Sequence, residues 1–209
     1  MQFFAQKTGF CAIKGGFMGK NIAILASGNG TNAENIIRYF QKKESGDSVV
    51  LVVANRQNVN VFKRAENLHV PCIYMGKEEW VTGEGVLKLL ADYRVDFIVL
   101  AGFLAKVPDA LLHAYPQRII NIHPSLLPKF GGKGMYGDRV HQAVVEAGER
   151  ESGISIQYIN EHYDEGSIIA QFRCPVYPED TPQEVAARVH ALEYEHYPQV
   201  IERLLAEME

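Results

Sequence analysis

The sequence predicts an α/β fold with a mainly parallel central sheet, flanking helices and antiparallel additions in the C-terminal half. Three observations predict this fold class. From residue 21, short apolar runs rich in branched side chains alternate with longer amphipathic stretches, as in strand, helix, strand units. A glycine-rich turn joins the first run to the first stretch. After Pro124 the pattern changes: a second glycine-rich segment, the loop at 131–137, is followed by two β segments.

The predicted strands are short and branched, as expected of strands covered on both faces. Five precede the glycine-rich loop, at 22–26, 49–54, 71–74, 97–101 and 118–122, and two follow it, at 154–159 and 168–177. The amphipathic stretches predict helices at 33–41, 59–68, 78–93, 108–114, 139–147 and 182–208.

Local signals indicate where several of these helices begin. Asn58 and Asp138 are the predicted N-caps of the second helix and of the helix after the loop. Thr181 precedes a proline and stands three residues before Glu184, which predicts a capping box. Pro198 lies inside the last predicted helix and is expected to kink or divide it.

Length and composition indicate one globular domain. The chain has 209 residues, of which 47% are hydrophobic and 22% are charged. No repeat or change of composition marks a linker. Met18 is followed by Gly19, Lys20 and then the first apolar strand segment. We therefore expect residues 1–17 to be an N-terminal extension and residues 18–209 to form a single domain.

Charge and cysteine content exclude several classes of protein. Residues 1–20 contain three lysines and no acid, so residues 21–209 carry all 25 acidic residues and are net negative, unlike a nucleic-acid-binding surface. The three cysteines are odd in number and far apart, which predicts a reducing cytoplasm. The longest nearly unbroken apolar run, 97–105, is less than half the roughly 20 residues that a membrane-spanning helix needs.

A glycine-rich turn with the sequence SGNGTNA covers residues 27–33, between the first strand and the first helix. Free backbone N–H groups and the helix dipole favour an anion there, which predicts a phosphate site. The turn also fits the dinucleotide pattern G-x-G-x-x-A, but the second strand ends without the acid that would bind a ribose. Arg56 at that end could meet the extra phosphate of NADP, so an oxidoreductase is one alternative. A tight turn that binds nothing is another.

Asn121 and His123 lie two residues apart on a predicted strand, so their side chains share one face. Pro124 ends this strand, and the carboxyl ends of strands in an open α/β sheet form the ligand crevice. A carboxamide and an imidazole suit acyl transfer, because both can donate to a developing oxyanion and the imidazole can move a proton. Asp164, in a predicted turn, could orient His123 and stabilise its charged form. A structural pair at a strand end is the alternative.

Four segments together resemble the folate-dependent formyltransferase superfamily. They are SGNGTN at 27–32, LAGFL at 100–104, NIHPSLLPK at 121–129 and DEG at 164–166. The third segment is specific for the superfamily, and the first is typical of its purine-pathway members, the phosphoribosylglycinamide formyltransferases. The resemblance extends from about residue 20 to the end of the sequence and implies a Rossmann-like formyltransferase fold.

The resemblance implies an enzyme that transfers a formyl group from its co-substrate 10-formyltetrahydrofolate to the amine of glycinamide ribonucleotide, in de novo purine synthesis. Its partners would be these small molecules, without a metal ion, and both a monomer and a homodimer are open. Three alternatives stay: a formyltetrahydrofolate hydrolase, an NADP-dependent oxidoreductase and a non-catalytic phosphosugar-binding module.

The resemblance also implies roles for single residues. Those expected to bind the ribonucleotide are Gly30, Thr31, Asn32 and Glu193. Those expected to bind the folate are Leu104, Ala105, Lys106, Val107, Asn121 and, with the backbone that follows it, Asn160. The expected catalytic residues are Asn121, the proton donor His123 and Asp164, which keeps His123 protonated.

The sequence departs from the family pattern near the proposed centre. The loop 131–137 is longer than in the relatives, and only His141 matches one of the two histidines that follow it there. Gln157 stands where many members have a histidine. A separate helical spacing of His190, Glu193 and His196 lacks the H-E-x-x-H pattern, so we predict no metal site.

Overall fold

Seven strands are present in the part of the chain that the computed structural model describes, residues 19–162 and 164–208. In chain order they are β1 Asn21–Ala26, β2 Ser48–Ala54, β3 Cys72–Tyr74, β4 Phe97–Leu100, β5 Ile119–His123, β6 Glu151–Tyr158 and β7 Ile168–Pro175. They form one sheet in the order β3-β2-β1-β4-β5-β6-β7. The pairs from β3 to β5 are parallel, and the pairs of β6 with β5 and β7 are antiparallel. The predicted fold class is therefore confirmed.

The helices of the described residues connect these strands and close the chain. They are α1 Thr31–Phe40, α2 Val61–Asn67, α3 Glu79–Thr82, α4 Glu84–Asp92, α5 Asp109–Ala114, α6 Asp138–Glu146 and α7 Pro182–Ala206. A helix follows each of the first two parallel strands, and the pair β6 and β7 has none between its strands. Antiparallel neighbours can be joined without a crossover helix, and β6 and β7 form one edge of the sheet.

Two apolar cores lie on opposite faces of the sheet, because successive strand residues point to opposite sides. Ile22 and Ile24 of β1 belong to the core that contains buried side chains of α1, α2, α6 and α7. Ala23 and Leu25 belong to the other core, with buried side chains of α4 and α5. The central strands are therefore covered on both faces, as their apolar sequences predict.

The single helix predicted over 78–93 is wrong, since the structure has two helices there. Gly83 separates α3 from α4 and adopts a φ of 79°. A Cβ at this position would lie 2.9 Å from side-chain atoms of both Leu111 and Pro108. The close approach of the segment around α5 requires a glycine, and its left-handed backbone ends α3.

The last helix begins as predicted and ends at Ala206, close to its predicted end. Thr181 caps α7 and forms the capping box with Glu184. Pro198 does not divide the helix, which runs for 25 residues with Pro198 buried inside it. Packing of α7 against the core outweighs the hydrogen bond that a proline removes.

Two predicted N-caps are displaced by one or two residues. The N-cap of α2 is Asn60, whereas Asn58 has a φ of 55° and forms the turn before the helix. The N-cap of α6 is Gly137, and Asp138 is the first residue of the helix. A carboxylate in this first turn still interacts favourably with the helix dipole.

The expected extension, residues 1–17, lies outside the described residues, as does Cys11. Cys72 and Cys174 are free thiols. Within the described ranges, no helix is both long and apolar enough to span a membrane.

Candidate functional site

The site lies where the strand order reverses, at the carboxyl ends of β1 and β4. The chain proceeds from β1 to β2 and β3 on one side and from β4 to β5 on the other, so the loops after β1 and β4 diverge and leave a crevice. The N–H of Ser27 donates to the carbonyl of Gly102 at 3.0 Å. The Oγ of Ser27 accepts from the N–H of Leu104 at 2.8 Å. These bonds hold the two loops together at the base of the crevice.

The glycine-rich turn 27–33 leads directly into α1. Gly30 is the N-cap, with a φ of 74°, and a Cβ there would lie 2.5 Å from Cγ2 of Val61. No side chain of the described residues caps this end of α1, so the first N–H groups of the helix can face an anion. Arg64 of α2 donates from Nε to the carbonyl of Asn29 at 2.8 Å and supports the turn from outside.

Glu193 of α7 lies against the start of α1. Its Oε2 accepts from Nδ2 of Asn32 at 2.9 Å and faces Nδ1 of His190 at 3.0 Å. The hydrogen bond that His190 donates to Glu193 raises the pKa of His190 above 6.5, against the opposing effect of burial. The hydroxyl of the fully buried Tyr197 donates to the carbonyl of Leu100 at 2.9 Å and fixes α7 to the sheet. The structure thus joins Asn32 and Glu193, two residues predicted to bind the same ligand.

His123, at the end of β5, is held between a backbone carbonyl and a carboxylate. Its side chain is buried, and Nε2 lies 2.8 Å from the carbonyl oxygen of Phe130. Nδ1 lies 3.5 Å from Oδ2 of Asp164, and this same oxygen accepts from the N–H of Gly132 at 2.8 Å. The structure therefore places together two of the three predicted catalytic residues.

The contacts of His123 indicate which ring nitrogen carries a hydrogen. A carbonyl oxygen only accepts, so Nε2 must carry a hydrogen when it bonds to Phe130. A neutral ring would then present the lone pair of Nδ1 to the carboxylate of Asp164, whereas the imidazolium donates toward both acceptors. The contact with Phe130 thus places a hydrogen on Nε2 and leaves Nδ1 facing the carboxylate of Asp164.

A pocket beside Asp164 is lined by most of the residues predicted to bind folate. These are Ala105, Lys106, Val107, Asn121 and Asn160, and Gln157 and Asp164 also line the pocket. Leu104 is not part of this lining. Its N–H bonds to Ser27, and 36% of the residue is exposed. His123 borders the pocket through its contact with Asp164. The loop at 27–33 opens into the same crevice from the neighbouring strand.

Sequence reasoning missed three groups of the site. The carbonyl of Phe130 and the N–H of Gly132 bind His123 and Asp164, but backbone groups leave no signal in residue identity. Gln157 donates from Nε2 to Oδ1 of Asp164 at 3.2 Å. It pairs in register with Asn121 on β5, and because a single sequence does not fix this register, the contact had no signal in the sequence.

The helical trio considered for a metal site separates in the structure. His190 pairs with Glu193, while His196 stacks on Phe172 with ring centroids 3.7 Å apart. The described part of the chain contains no group of three metal-ligating side chains. His141 is buried, and its ring centroid lies 6.0 Å from that of His190. Its ring nitrogens have no hydrogen-bond partner among the described residues, and burial lowers its pKa.

Comparison with known proteins identifies relatives of one family. The sequence model described as formyl transferase matches residues 20–201. The chloroplastic phosphoribosylglycinamide formyltransferase of Arabidopsis thaliana is 40% identical over 187 residues, which are 87% of this chain and 64% of the plant protein. The phosphoribosylglycinamide formyltransferase of Bacillus subtilis is 37% identical over 190 residues, which are 89% of this chain and 95% of the bacterial protein.

Solved structures agree with this comparison. The structure of glycinamide ribonucleotide transformylase 1 from Symbiobacterium toebii has a TM-score of 0.83 and 29% identity, covering 92% of this chain and 90% of that one. The phosphoribosylglycinamide formyltransferase of Coxiella burnetii, in complex with CHES, has a TM-score of 0.81 and 37% identity, covering 90% and 88%. The range matched by the family, 20–201, contains every residue of the crevice described above.

Proposed function

The chain belongs to the formyl transferase family, and on that basis we propose that it transfers a formyl group from 10-formyltetrahydrofolate to the amine of 5'-phosphoribosylglycinamide, in purine biosynthesis. One observation carries the proposal. The glycine-rich turn before α1 is bonded through Ser27 to the loop after β4, beside a pocket lined by residues 105–107 and Asn121 and the pair of His123 and Asp164. Phosphate, folate and proton transfer each have a place there.

The two substrates enter from different sides of the crevice. The phosphate of the ribonucleotide binds at Gly30, Thr31 and Asn32, where the first N–H groups of α1 are free of a side-chain cap. Glu193 accepts from the rest of the ribonucleotide while Asn32 holds it in place. The folate lies along residues 105–107, with its pterin near the backbone after Asn160.

The reaction is an acyl transfer with a tetrahedral intermediate. The amine nitrogen attacks the formyl carbon, a new C–N bond forms, and negative charge develops on the formyl oxygen. Asn121 and protonated His123 donate to this oxygen. The bond from the formyl carbon to N10 then breaks, N10 takes a proton from His123 directly or through a water, and the proton lost by the amine restores the imidazolium. Asp164 keeps that imidazolium oriented.

We place this reaction in a reducing cytoplasm, in accordance with the separated cysteines. Both substrates are small molecules, and neither a nucleic acid nor a membrane takes part. The active form is a monomer or a homodimer, which sedimentation of the purified protein distinguishes.

No observation favours the alternative functions. An NADP-dependent oxidoreductase has Arg56 as its support, and this residue is exposed after a strand that ends without an acid. A phosphosugar-binding module would leave the buried contact of His123 with Asp164 without a purpose. A formyltetrahydrofolate hydrolase would use the same pocket with water as the acceptor, so the assay must separate the two acceptors.

The deciding experiment is an absorbance assay of deformylated folate with purified protein, 10-formyltetrahydrofolate and glycinamide ribonucleotide. His123→Ala and a reaction with water as the only acceptor are run beside it. We expect turnover that requires the ribonucleotide and is lost in His123→Ala. Deformylation without the ribonucleotide would indicate a hydrolase, and binding of the ribonucleotide without turnover would indicate a binding module.

A further inference from the structure

Gln157 lies on β6, directly opposite Asn121 of β5, and its side chain contacts Asp164. We propose that Gln157 is a positioning residue that holds the carboxylate of Asp164 against Nδ1 of His123. This inference rests on the proposed function, because it concerns the same proton-transferring pair. Through this contact, a neutral amide fixes the orientation of the pair of Asp164 and His123.

The orientation of the amide follows from its partner. Nε2 of Gln157 lies 3.2 Å from Oδ1 of Asp164. The opposite orientation would place the amide oxygen against a carboxylate oxygen, two acceptors without a hydrogen between them. Gln157 is therefore a donor to Asp164.

The two carboxylate oxygens of Asp164 have different partners. Oδ1 accepts from Gln157, while Oδ2 accepts from the N–H of Gly132 and faces Nδ1 of His123. The side chains of His123 and Asp164 are only 5% and 11% exposed, so little water can replace a lost donor. Without Gln157, Oδ1 would lose its donor, and the N–H of Gly132 would be left to hold the carboxylate through Oδ2.

Two features indicate that Gln157 is placed for this contact rather than for packing. Its Oε1 is buried and has no hydrogen-bond partner among the described residues, which is unfavourable for a side chain that only fills space. The register between β6 and β7 also shifts between Ile156 and Gln157. Irregularities of this kind redirect a side chain beside an active site.

The test compares Gln157→Leu with wild type and with Gln157→His, which restores a neutral N–H donor. Gln171→Leu is the matched control, because it removes a glutamine amide from the neighbouring strand that bonds to Leu127 and Ser155 instead. We expect kcat of Gln157→Leu to fall about tenfold or more, as for loss of a hydrogen bond to a charged group. Both Michaelis constants should stay within about twofold. Gln157→His should recover part of kcat, and Gln171→Leu should retain it.

A second measurement in the substrate-free protein separates this inference from the proposed function. In protein labelled with ¹⁵N-histidine, the ring nitrogens of His123 give resonances that are assigned by their absence in His123→Gln. We expect the Nδ1 resonance to shift in Gln157→Leu, because the carboxylate that Nδ1 faces moves, and to stay unchanged in Gln171→Leu. An unchanged resonance in Gln157→Leu together with kcat within about twofold of wild type would overturn the positioning role. An inactive wild type that shows the expected resonance changes would overturn the proposed function and support the positioning role.

Discussion

Asn32 and Glu193 are hydrogen-bonded across 161 residues of sequence, from Nδ2 to Oε2 at 2.9 Å. Glu193 is 5% exposed, and the same oxygen faces Nδ1 of His190 at 3.0 Å. One buried carboxylate therefore connects the start of α1 with α7. Since we propose that this helix start binds phosphate, Glu193 can influence ribonucleotide binding both by direct contact and through Asn32.

Replacing Glu193 with glutamine should weaken ribonucleotide binding. The amide preserves the shape but loses the charge that strengthens both hydrogen bonds, a change of roughly 1.5–3 kcal/mol for a bond to an ionised group. Steady-state kinetics should show a Michaelis constant for the ribonucleotide raised about tenfold, with a smaller change in kcat. Glu195→Gln, at an exposed position of the same helix, is the control. An unchanged Michaelis constant in Glu193→Gln would exclude this role.

The ion pair with Glu193 should make the stability contributed by His190 depend on pH. The carboxylate raises the pKa of His190 above 6.5, so the folded protein binds this proton more tightly than the unfolded chain does. The stabilisation is complete below the unfolded-state pKa and is lost as the pH rises through the folded-state pKa.

Urea unfolding of wild type and His190→Gln, at intervals from about pH 5 to 8, measures this contribution. The wild type should be the more stable protein at the acidic end, and the difference should shrink toward the alkaline end. In the background of Glu193→Gln the pH dependence of the difference should weaken. A difference that is constant with pH would contradict the assignment.

Much of the fold could be predicted, because strand burial and helix amphipathicity are properties of the local sequence. The seven strands and the capping box at Thr181 are confirmed. The break at Gly83 could not be predicted, since it depends on contacts with Pro108 and Leu111 of a later segment. The continuity of α7 through Pro198 likewise depends on burial against the core.

The site was predictable only as far as residue types report it. The period of β5 places Asn121 and His123 on one face, and Asp164 in its predicted turn was a candidate partner that the resemblance strengthened. The partners that complete the geometry are the carbonyl of Phe130 and the N–H of Gly132, which any residue could supply. The contact of Gln157 with Asp164 depends on the pairing of β5 with β6, and a single sequence does not fix that register.

Asn121→Ala should reduce turnover strongly with little loss of stability. Asn121 lines the pocket at the end of β5 and is half-buried, so its carboxamide can donate to the developing oxyanion. Loss of one such donor typically reduces kcat about 10² to 10³-fold. The absorbance assay of deformylated folate measures this loss, and thermal unfolding checks the fold. Asn67→Ala, at an exposed position of α2, is the control. Turnover near that of wild type would remove Asn121 from the mechanism.

Asp164→Asn should lower turnover and alter the pH–rate profile while leaving ribonucleotide binding intact. The amide no longer offers a charged acceptor to Nδ1 of His123, 3.5 Å away, so the protonated ring loses its partner. The phosphate site at the start of α1 does not involve Asp164. Kinetics across pH and calorimetry with the ribonucleotide separate the two effects. Turnover and a pH–rate profile identical to those of wild type would remove Asp164 from the mechanism.

Gly30→Ala should destabilise the protein through the turn that precedes α1. Gly30 has a φ of 74°, and a Cβ would meet Val61 at 2.5 Å from Cγ2 and 2.9 Å from the backbone Cα. The left-handed conformation and the collision with backbone together should cost roughly 2–4 kcal/mol, measured by urea unfolding.

Gly28→Ala provides the matched control in the same turn, because a Cβ there meets no atom within 4 Å. We expect the free energy of unfolding of Gly28→Ala to stay within about 0.5 kcal/mol of the wild-type value. Equal loss in both variants would show that the turn tolerates no side chain for reasons other than Val61. Unchanged stability in Gly30→Ala would show that α2 can move away, in which case the position of Val61 would not require a glycine at the start of α1.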